Sequence, residues 1–260
     1  MTWTAFLTHE DTVYYSTHSP IATPESPWTP YTHLIEGVWN HAPDFARMIL
    51  RNWIQSATPR TPLCDGMLKV MAKRAHTLSS TEFDRECEEA KKLNCIEVKP
   101  ASIPSLELPW ANAGFLAPED LKNEALKLAS LSHIDLESKV RSDRAVGAVL
   151  ISQDLEILSE AFNQNSTNRT HHAELLLVRR YLENHKQKIP RGSTLLVTLQ
   201  PCAMCAAQLY TFAEDPDQLQ VLFINEDTGP FAQNSVGVRN SHLWKQAGSP
   251  RVHFSKFQES

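Results

Sequence analysis

Apolar residues run in long stretches in the C-terminal half of this chain and in short, proline-broken ones before residue 119. Residues 193–200, Ser-Thr-Leu-Leu-Val-Thr-Leu-Gln, are rich in aliphatic side chains and threonine and predict a buried strand. Pro201 ends that strand and suits the first turn of a helix running from Cys202 to about Phe212. Upstream, Leu175, Val178 and Leu182 recur at helical spacing, and Leu176, Leu177 and Tyr181 widen the apolar face. They predict a helix that opens at His172, runs through Asn184 and is buried against a sheet.

The N-terminal half reads differently. Pro20, Pro24, Pro27 and Pro30 argue against a long helix in residues 1–40, leaving a short strand or two around 12–17 and extended loop packed by its aromatics. Helices are expected over 43–56, with Phe45, Met48, Ile49 and Trp53 on one face, and over about 66–78. Another starts at Ser79, where Ser79-x-x-Glu82 suits a capping box and Phe83, Cys87 and Ala90 would be buried. Residues 99–118 hold four prolines and no clean period. The expected organisation is therefore a mainly helical domain over 1–98, a Pro-rich linker over 99–118 and a second domain over 119–260.

Composition narrows the picture. At 260 residues and 42% hydrophobic, the chain has ample material for one large core or two modest ones. A formal net charge of -5 argues against a general polyphosphate binder. Two basic clusters (Lys139, Arg141, Arg144; and Arg179, Arg180, Lys186, Lys188, Arg191) read either as solvated helix and loop charge or as an RNA path. Five of the six tryptophans precede residue 111, which suits an aromatic core or a surface that stacks bases or docks the second domain. His9, His18, His33 and His41 form no recognisable metal spacing. No apolar run is long enough to span a bilayer, and the N-terminus has neither a positive n-region nor an h-region. An odd number of cysteines with no disulfide framework points to a reducing cytoplasm.

The chemistry is concentrated in His172-Ala173-Glu174 and Pro201-Cys202-Ala203-Met204-Cys205. One histidine and two cysteines supply three ligands to one Zn²⁺ and leave the fourth tetrahedral position open, as a catalytic site requires. Zinc in such a site activates water, and Glu174 is close enough to move its protons. A lone C-x-x-C would also fit a redox dithiol, half a zinc knuckle or two core cysteines. The other cysteines, Cys64, Cys87 and Cys95, show no second C-x-x-C, and neither rival uses an upstream H-x-E. A structural zinc site in a binding subunit would likewise have no use for Glu174. His171 reads as a satisfied polar residue at the helix entrance.

The H-x-E…P-C-x-x-C arrangement resembles the zinc-dependent cytidine deaminase-like superfamily, and within it the tRNA adenosine deaminases, over about residues 119–240. Residues 121–131 resemble the first helix of that fold, and 145–150, 155–161, 194–199 and 219–224 its core strands. Asp227-Thr228-Gly229 is similar to a loop near the active site. The resemblance implies a three-layer α/β/α domain with a mixed sheet, one catalytic Zn²⁺ on His172, Cys202 and Cys205, and Glu174 as proton shuttle. It also implies a substrate contact at Asn163, which by itself reads equally as a turn residue. The P-C-x-M-C form is shared with guanine deaminases and fungal-type cytosine deaminases, so it selects a branch and not a substrate.

Two departures accompany the resemblance. An acidic turn, Ala213-Glu214-Asp215-Pro216-Asp217-Gln218, follows the motif helix, and a large N-terminal region is present that the bacterial tRNA enzymes lack. The non-catalytic subunit of the eukaryotic tRNA deaminase also has a large N-terminal domain and a P-C-A-M-C run, but it has generally lost the catalytic glutamate retained here as Glu174. The implied function is hydrolytic deamination, foremost of adenosine to inosine in tRNA, with a free base or nucleoside (guanine, adenine or cytosine) as alternative substrate. A non-catalytic deaminase-like binding subunit is the other alternative. The assembly expected is a homodimer, or a monomer whose N-terminal domain replaces a partner subunit.

Overall fold

The computed structural model describes residues 2–19, 21–72, 74–104, 106, 118–132, 143–166, 168–232 and 252–258. Two compact units divide the chain, Met1–Ser102 and Ile103–Ser260. Most of the expected linker over 99–118, together with Lys139 and Arg141, lies outside the described residues.

Taken in chain order, the N-terminal unit contains β1 (Ala5–His9), β2 (Thr12–Ser16), α1 (Pro30–His41), α2 (Ala46–Ile49), β3 (Ile54–Ser56), α3 (Pro62–Met67), β4 (Ala75–Thr77), α4 (Ser80–Ala90) and β5 (Asn94–Glu97). Its strands form one sheet in the order β4-β3-β1-β2-β5. The expectation of a mainly helical domain is thus corrected: a five-stranded sheet is its frame. Strands β3 and β4 have three residues each, too short to show an alternating period. The expected helix over 43–56 shrinks to α2, which buries Ile49 but leaves Phe45, Met48 and Trp53 exposed, because the chain turns into β3 at Ile54. The second expected helix stops early, with α3 passing into a π-turn over Leu68–Ala72 before β4.

Helix α1 was not expected at all. Pro30 is not a breaker there because it occupies the first helical turn, where its missing N–H costs nothing. Thr29 and Thr32 close a reciprocal cap ahead of it. Gly37 lets α1 approach the chain after β5: a Cβ there would lie 2.8 Å from the Val98 side chain. Helix α4 begins as anticipated, with Ser79 and Glu82 forming the capping box. Its Phe83, Cys87 and Ala90 pack with Trp3, Phe6 and Val13 on one face of β1 and β2.

The C-terminal unit contains α5 (Pro118–Ser130), β6 (Gly147–Ile151), β7 (Ile157–Phe162), α6 (Ala173–His185), β8 (Thr194–Leu199), α7 (Ala203–Phe212), β9 (Gln220–Asn225) and β10 (His253–Lys256). The sheet order is β10-β9-β8-β6-β7. Strand β6 is antiparallel to β7 and β8, whereas β8, β9 and β10 run parallel, so the sheet is mixed. Leu121, Ala125 and Leu128 of α5 meet Val149, Ile151 and Leu196 on one face. Alternation along β6 sends Ala148 and Leu150 to the other face, where α6 packs and where the Ser159 hydroxyl donates to the Leu177 carbonyl. This is the three-layer arrangement.

Gly147 permits the close approach of α5. A Cβ at that position would overlap the Ala125 carbonyl and come within 2.5 Å of the Ala129 amide nitrogen. Strand β10, parallel to β9 from His253↔Gln220 to Lys256↔Phe223, was not anticipated; its residues show no apolar run.

Candidate active site

Two helices begin at the same place, and their first residues carry the chemistry. His172 is the N-cap of α6 and Cys202 the N-cap of α7, both with extended backbone (ψ 149° and 171°). Strand β8 ends at Leu199 and delivers Cys202 after Pro201, so the motif order strand–Pro–Cys sets the helix start. Neither residue caps its own helix with a side-chain hydrogen bond. The side chains turn toward each other instead.

His172 Nδ1 lies 3.6 Å from Cys202 Sγ and 3.4 Å from Cys205 Sγ, and the two sulfurs are 3.5 Å apart. Zn–N bonds of about 2.0 Å and Zn–S bonds of about 2.3 Å at tetrahedral angles place N···S at roughly 3.6 Å and S···S at roughly 3.8 Å. The three atoms therefore match three vertices of one zinc tetrahedron. Among the described residues this is the single cluster of His, Cys, Asp or Glu side chains with metal-binding spacing. Both thiols are buried in the first turn of α7, where the helix dipole favours a thiolate. The Cys205 thiol hydrogen-bonds to Cys202 and lowers its pKa well below the thiol range, while burial pushes Cys205 itself up.

Glu174 sits in the first turn of α6 and is 4% exposed. Burial pushes its carboxyl up to about 7, against the opposing pull of His172. A group poised there holds a proton and releases it at neutral pH.

Asn163 follows β7 and is 3% exposed. Its Oδ1 accepts from the Ala173 amide at 2.9 Å, and its Nδ2 donates to the Arg144 carbonyl at 3.1 Å. The side chain thus fixes the start of α6 from below the His172–Glu174 turn. His171 is buried, donates its amide to the Asn168 carbonyl and receives the Gln164 amide on its own carbonyl; burial lowers its ring pKa to about 4.

Sequence reasoning did not single out the residues that hold this turn. Asp143 accepts from the Ser166 amide at 2.6 Å and hydroxyl at 3.1 Å. Asn168 Oδ1 accepts from the Thr170 amide at 3.0 Å and hydroxyl at 2.9 Å, a local turn of the kind Asn favours. The Asn/Ser/Thr-rich run 163–170 carried that signal.

The 226–232 loop closes against α7. Asp227 accepts from the Gly229 amide at 2.9 Å and pairs with Arg144 at 3.2 Å, and the Phe231 carbonyl accepts from the Ala203 amide at 2.6 Å. The basic cluster on and after α6 does not form one strip. Arg179 is 3% exposed, Arg180 donates to the Glu160 and Pro104 carbonyls, and Arg191 pairs with Glu214, while Lys186 and Lys188 are exposed.

The C-terminal unit has the mixed-sheet, three-layer fold and the His/Cys/Cys cluster that the resemblance to the cytidine deaminase-like superfamily implies. Residues 137–246 match the family of Bd3614-like deaminases. The tRNA-specific adenosine deaminase of Haemophilus influenzae is 32% identical over 93 residues, 35% of this chain and 50% of that protein. The tRNA-specific adenosine deaminase subunit tad2 of Schizosaccharomyces pombe is 38% identical over 56 residues, 21% of this chain and 14% of the subunit. The chain thus spans half or less of these curated relatives. A solved structure from studies of A-to-I editing by tRNA:A34 deaminases is 24% identical, covering 53% of this chain and 91% of its own, with a TM-score of 0.38.

Proposed function

We propose that the C-terminal unit is a zinc-dependent hydrolytic deaminase of a nucleobase, with adenosine in tRNA as its leading substrate and inosine as product. The observation that carries this reading is Glu174, a buried carboxyl two residues from His172 and within hydrogen-bonding range of Cys205. A structural zinc site has no use for such a group. The sequence likeness to proteins named tRNA-specific adenosine deaminases supports the choice of substrate.

His172, Cys202 and Cys205 would hold the ion, which when bound supplies Lewis acidity and draws the pKa of water towards about 7. Glu174 accepts the proton as water adds to the amine-bearing ring carbon and passes it to the ring nitrogen. It then takes the proton of the added hydroxyl and gives it to the amine, so that the carbonyl forms, the C–N bond breaks and ammonia leaves. Asn163 keeps the His172–Glu174 turn in place through its bond to the Ala173 amide. We propose that the rest of its amide hydrogen-bonding capacity faces substrate.

The test is ammonia release by zinc-loaded protein from bulk tRNA, single-stranded RNA, and free bases and nucleosides, with inosine sought in the RNA digest. Inosine from tRNA supports the proposal in full. Release from a small molecule alone keeps the deaminase and replaces the substrate. Equal release by wild type and Glu174→Ala, at equal zinc content, removes the catalytic reading.

A further inference from the structure

The N-terminal unit holds an exposed face that the chemistry above does not use. Trp53 is 54% exposed although it adjoins the sheet. Strands β3 and β4 run parallel with Ile54 opposite Ala75 and Gln55 opposite His76. The same register puts Trp53 opposite Arg74, and the Ile54 amide donates to the Arg74 carbonyl at 3.2 Å. Trp53, Gln55, Arg74 and His76 therefore project from one face. Phe6, the partner of Gln55 on β1, marks it as the face that α4 packs on. Helix α4 covers it over β1 and β2, and the β3–β4 edge stays open.

The side chains there are of two kinds. The Trp53 and His76 rings stand 5.9 Å apart at 53°, both exposed. Three exposed arginines lie close by in fold or chain: Arg74 on the same face, Arg47 on α2, and Arg51 two residues before Trp53. None of the three has an ion pair among the described residues. Residues 45–81 carry six Lys and Arg against one carboxylate, Asp65, in a chain where acids outnumber bases 30 to 25. That carboxylate is paired with Arg60. Glu82, which lies within electrostatic range of His76, is held by the Ser79 cap. Gln55 Oε1, on the same face, has no hydrogen-bond partner among the described residues.

We propose that the β3–β4 edge binds single-stranded nucleic acid, with a base stacked on Trp53 and His76 and phosphates held by Arg47, Arg51 and Arg74. Exposed aromatic rings on a sheet face flanked by unpaired cations suit unpaired bases and their backbone, since every base has a stacking face and every linkage a charge. A protein partner would gain from the rings but not from three uncompensated cations. The inference rests on the N-terminal unit alone and stands apart from the deaminase reading.

The test is fluorescence anisotropy of the full chain with a labelled single-stranded RNA of about twelve nucleotides, across a salt series, with a duplex of the same sequence as control. Wild type should prefer the single strand. Trp53→Ala should weaken binding about tenfold at unchanged salt slope. The triple variant Arg47→Ala, Arg51→Ala, Arg74→Ala should weaken it and reduce the slope of log K against log salt by about 2. Circular dichroism monitors folding, and Arg51→Glu serves if Trp53→Ala does not fold. No binding by wild type, unchanged binding by the variants, or a concentration-dependent dimer that Trp53→Ala abolishes would each overturn the proposal. RNA bound at this face with no ammonia release from RNA, bases or nucleosides keeps it and sinks the deaminase reading; ammonia release without binding at this face does the reverse.

Discussion

The two units each contain a five-stranded sheet, but most of their helices start differently. In the N-terminal unit, Thr29, Thr61 and Ser79 cap α1, α3 and α4 with their side chains, and the one-turn α2, behind Phe45, goes without. In the C-terminal unit the residues at the same positions of α6 and α7 are His172 and Cys202, and neither caps. Ordinary caps contribute about 1 kcal/mol each. At these two facing helix starts the side chains are left for another task, and their 3.4–3.6 Å spacing fits a shared metal ion. The comparison separates helix starts that serve stability from helix starts that serve a site.

The sharpest way to break this contrast is at the site. His172→Ala should abolish zinc retention, read by metal analysis of the purified protein, and ammonia release with it. Glu174→Gln should retain zinc and still lose about 10²- to 10⁴-fold in turnover, since general acid–base help is worth that much. A zinc-free variant with full activity would end the parallel.

Packing tests the frame beneath the site. Gly147→Ala drives a Cβ into the backbone of α5, which cannot step aside as a side chain can, and should cost about 3 kcal/mol or prevent folding of the C-terminal unit. Gly37→Ala meets Val98 at 2.8 Å and the Lys99 amide nitrogen at 2.9 Å, a shallower overlap than at Gly147, and should cost less. Urea unfolding, followed by hydrogen exchange in β6 and in β1, reads each unit separately. Equal losses at the two glycines would mean that α5 adjusts. Smaller again is the cap: Ser79→Ala should cost about 1 kcal/mol, confined to the N-terminal unit and without effect on zinc content.

A change of pH tests the N-terminal unit without altering a residue. Burial, with the charges of His18 and Lys99, holds His33 down at about 4, so the folded unit keeps it neutral where the unfolded chain takes up a proton. The unfolded state binds more protons between about 6.5 and 4, and stability must fall as pH drops through that window. Exchange protection of the β1 and β2 amides should decline there, and His33→Gln should flatten the decline.

What the sequence made legible follows the same division. Aliphatic runs and apolar faces announced β8 and both site helices, and the family resemblance placed β6, β7 and β9, each to within a few residues. His172, Cys202 and Cys205 were legible because ligand spacing is a local property, and the fold brings them together. The N-terminal sheet was not legible. Ile54-Gln55-Ser56 and Ala75-His76-Thr77 offer three residues each, and their pairing is a long-range fact with no local mark. Pro30 misled because a proline at a helix start and a proline in a loop read alike until the Thr29–Thr32 cap is noticed. The second half of the site was hidden likewise. Asp143, Asn168 and the 226–232 loop act through backbone amides, which every residue has.

The bond from the Ala203 amide to the Phe231 carbonyl has a consequence of its own. Position 203 is the first residue of α7, the place in a helix where proline is most welcome. Ala203→Pro would leave the helix content and all three metal ligands as they are, yet it would remove the one hydrogen that ties this helix to a segment 28 residues further along. Ala203 is fully buried, so the added ring should lower the melting temperature somewhat while the amides of 226–232 exchange faster. A change that helix rules recommend would then act chiefly on the loop that closes against α7.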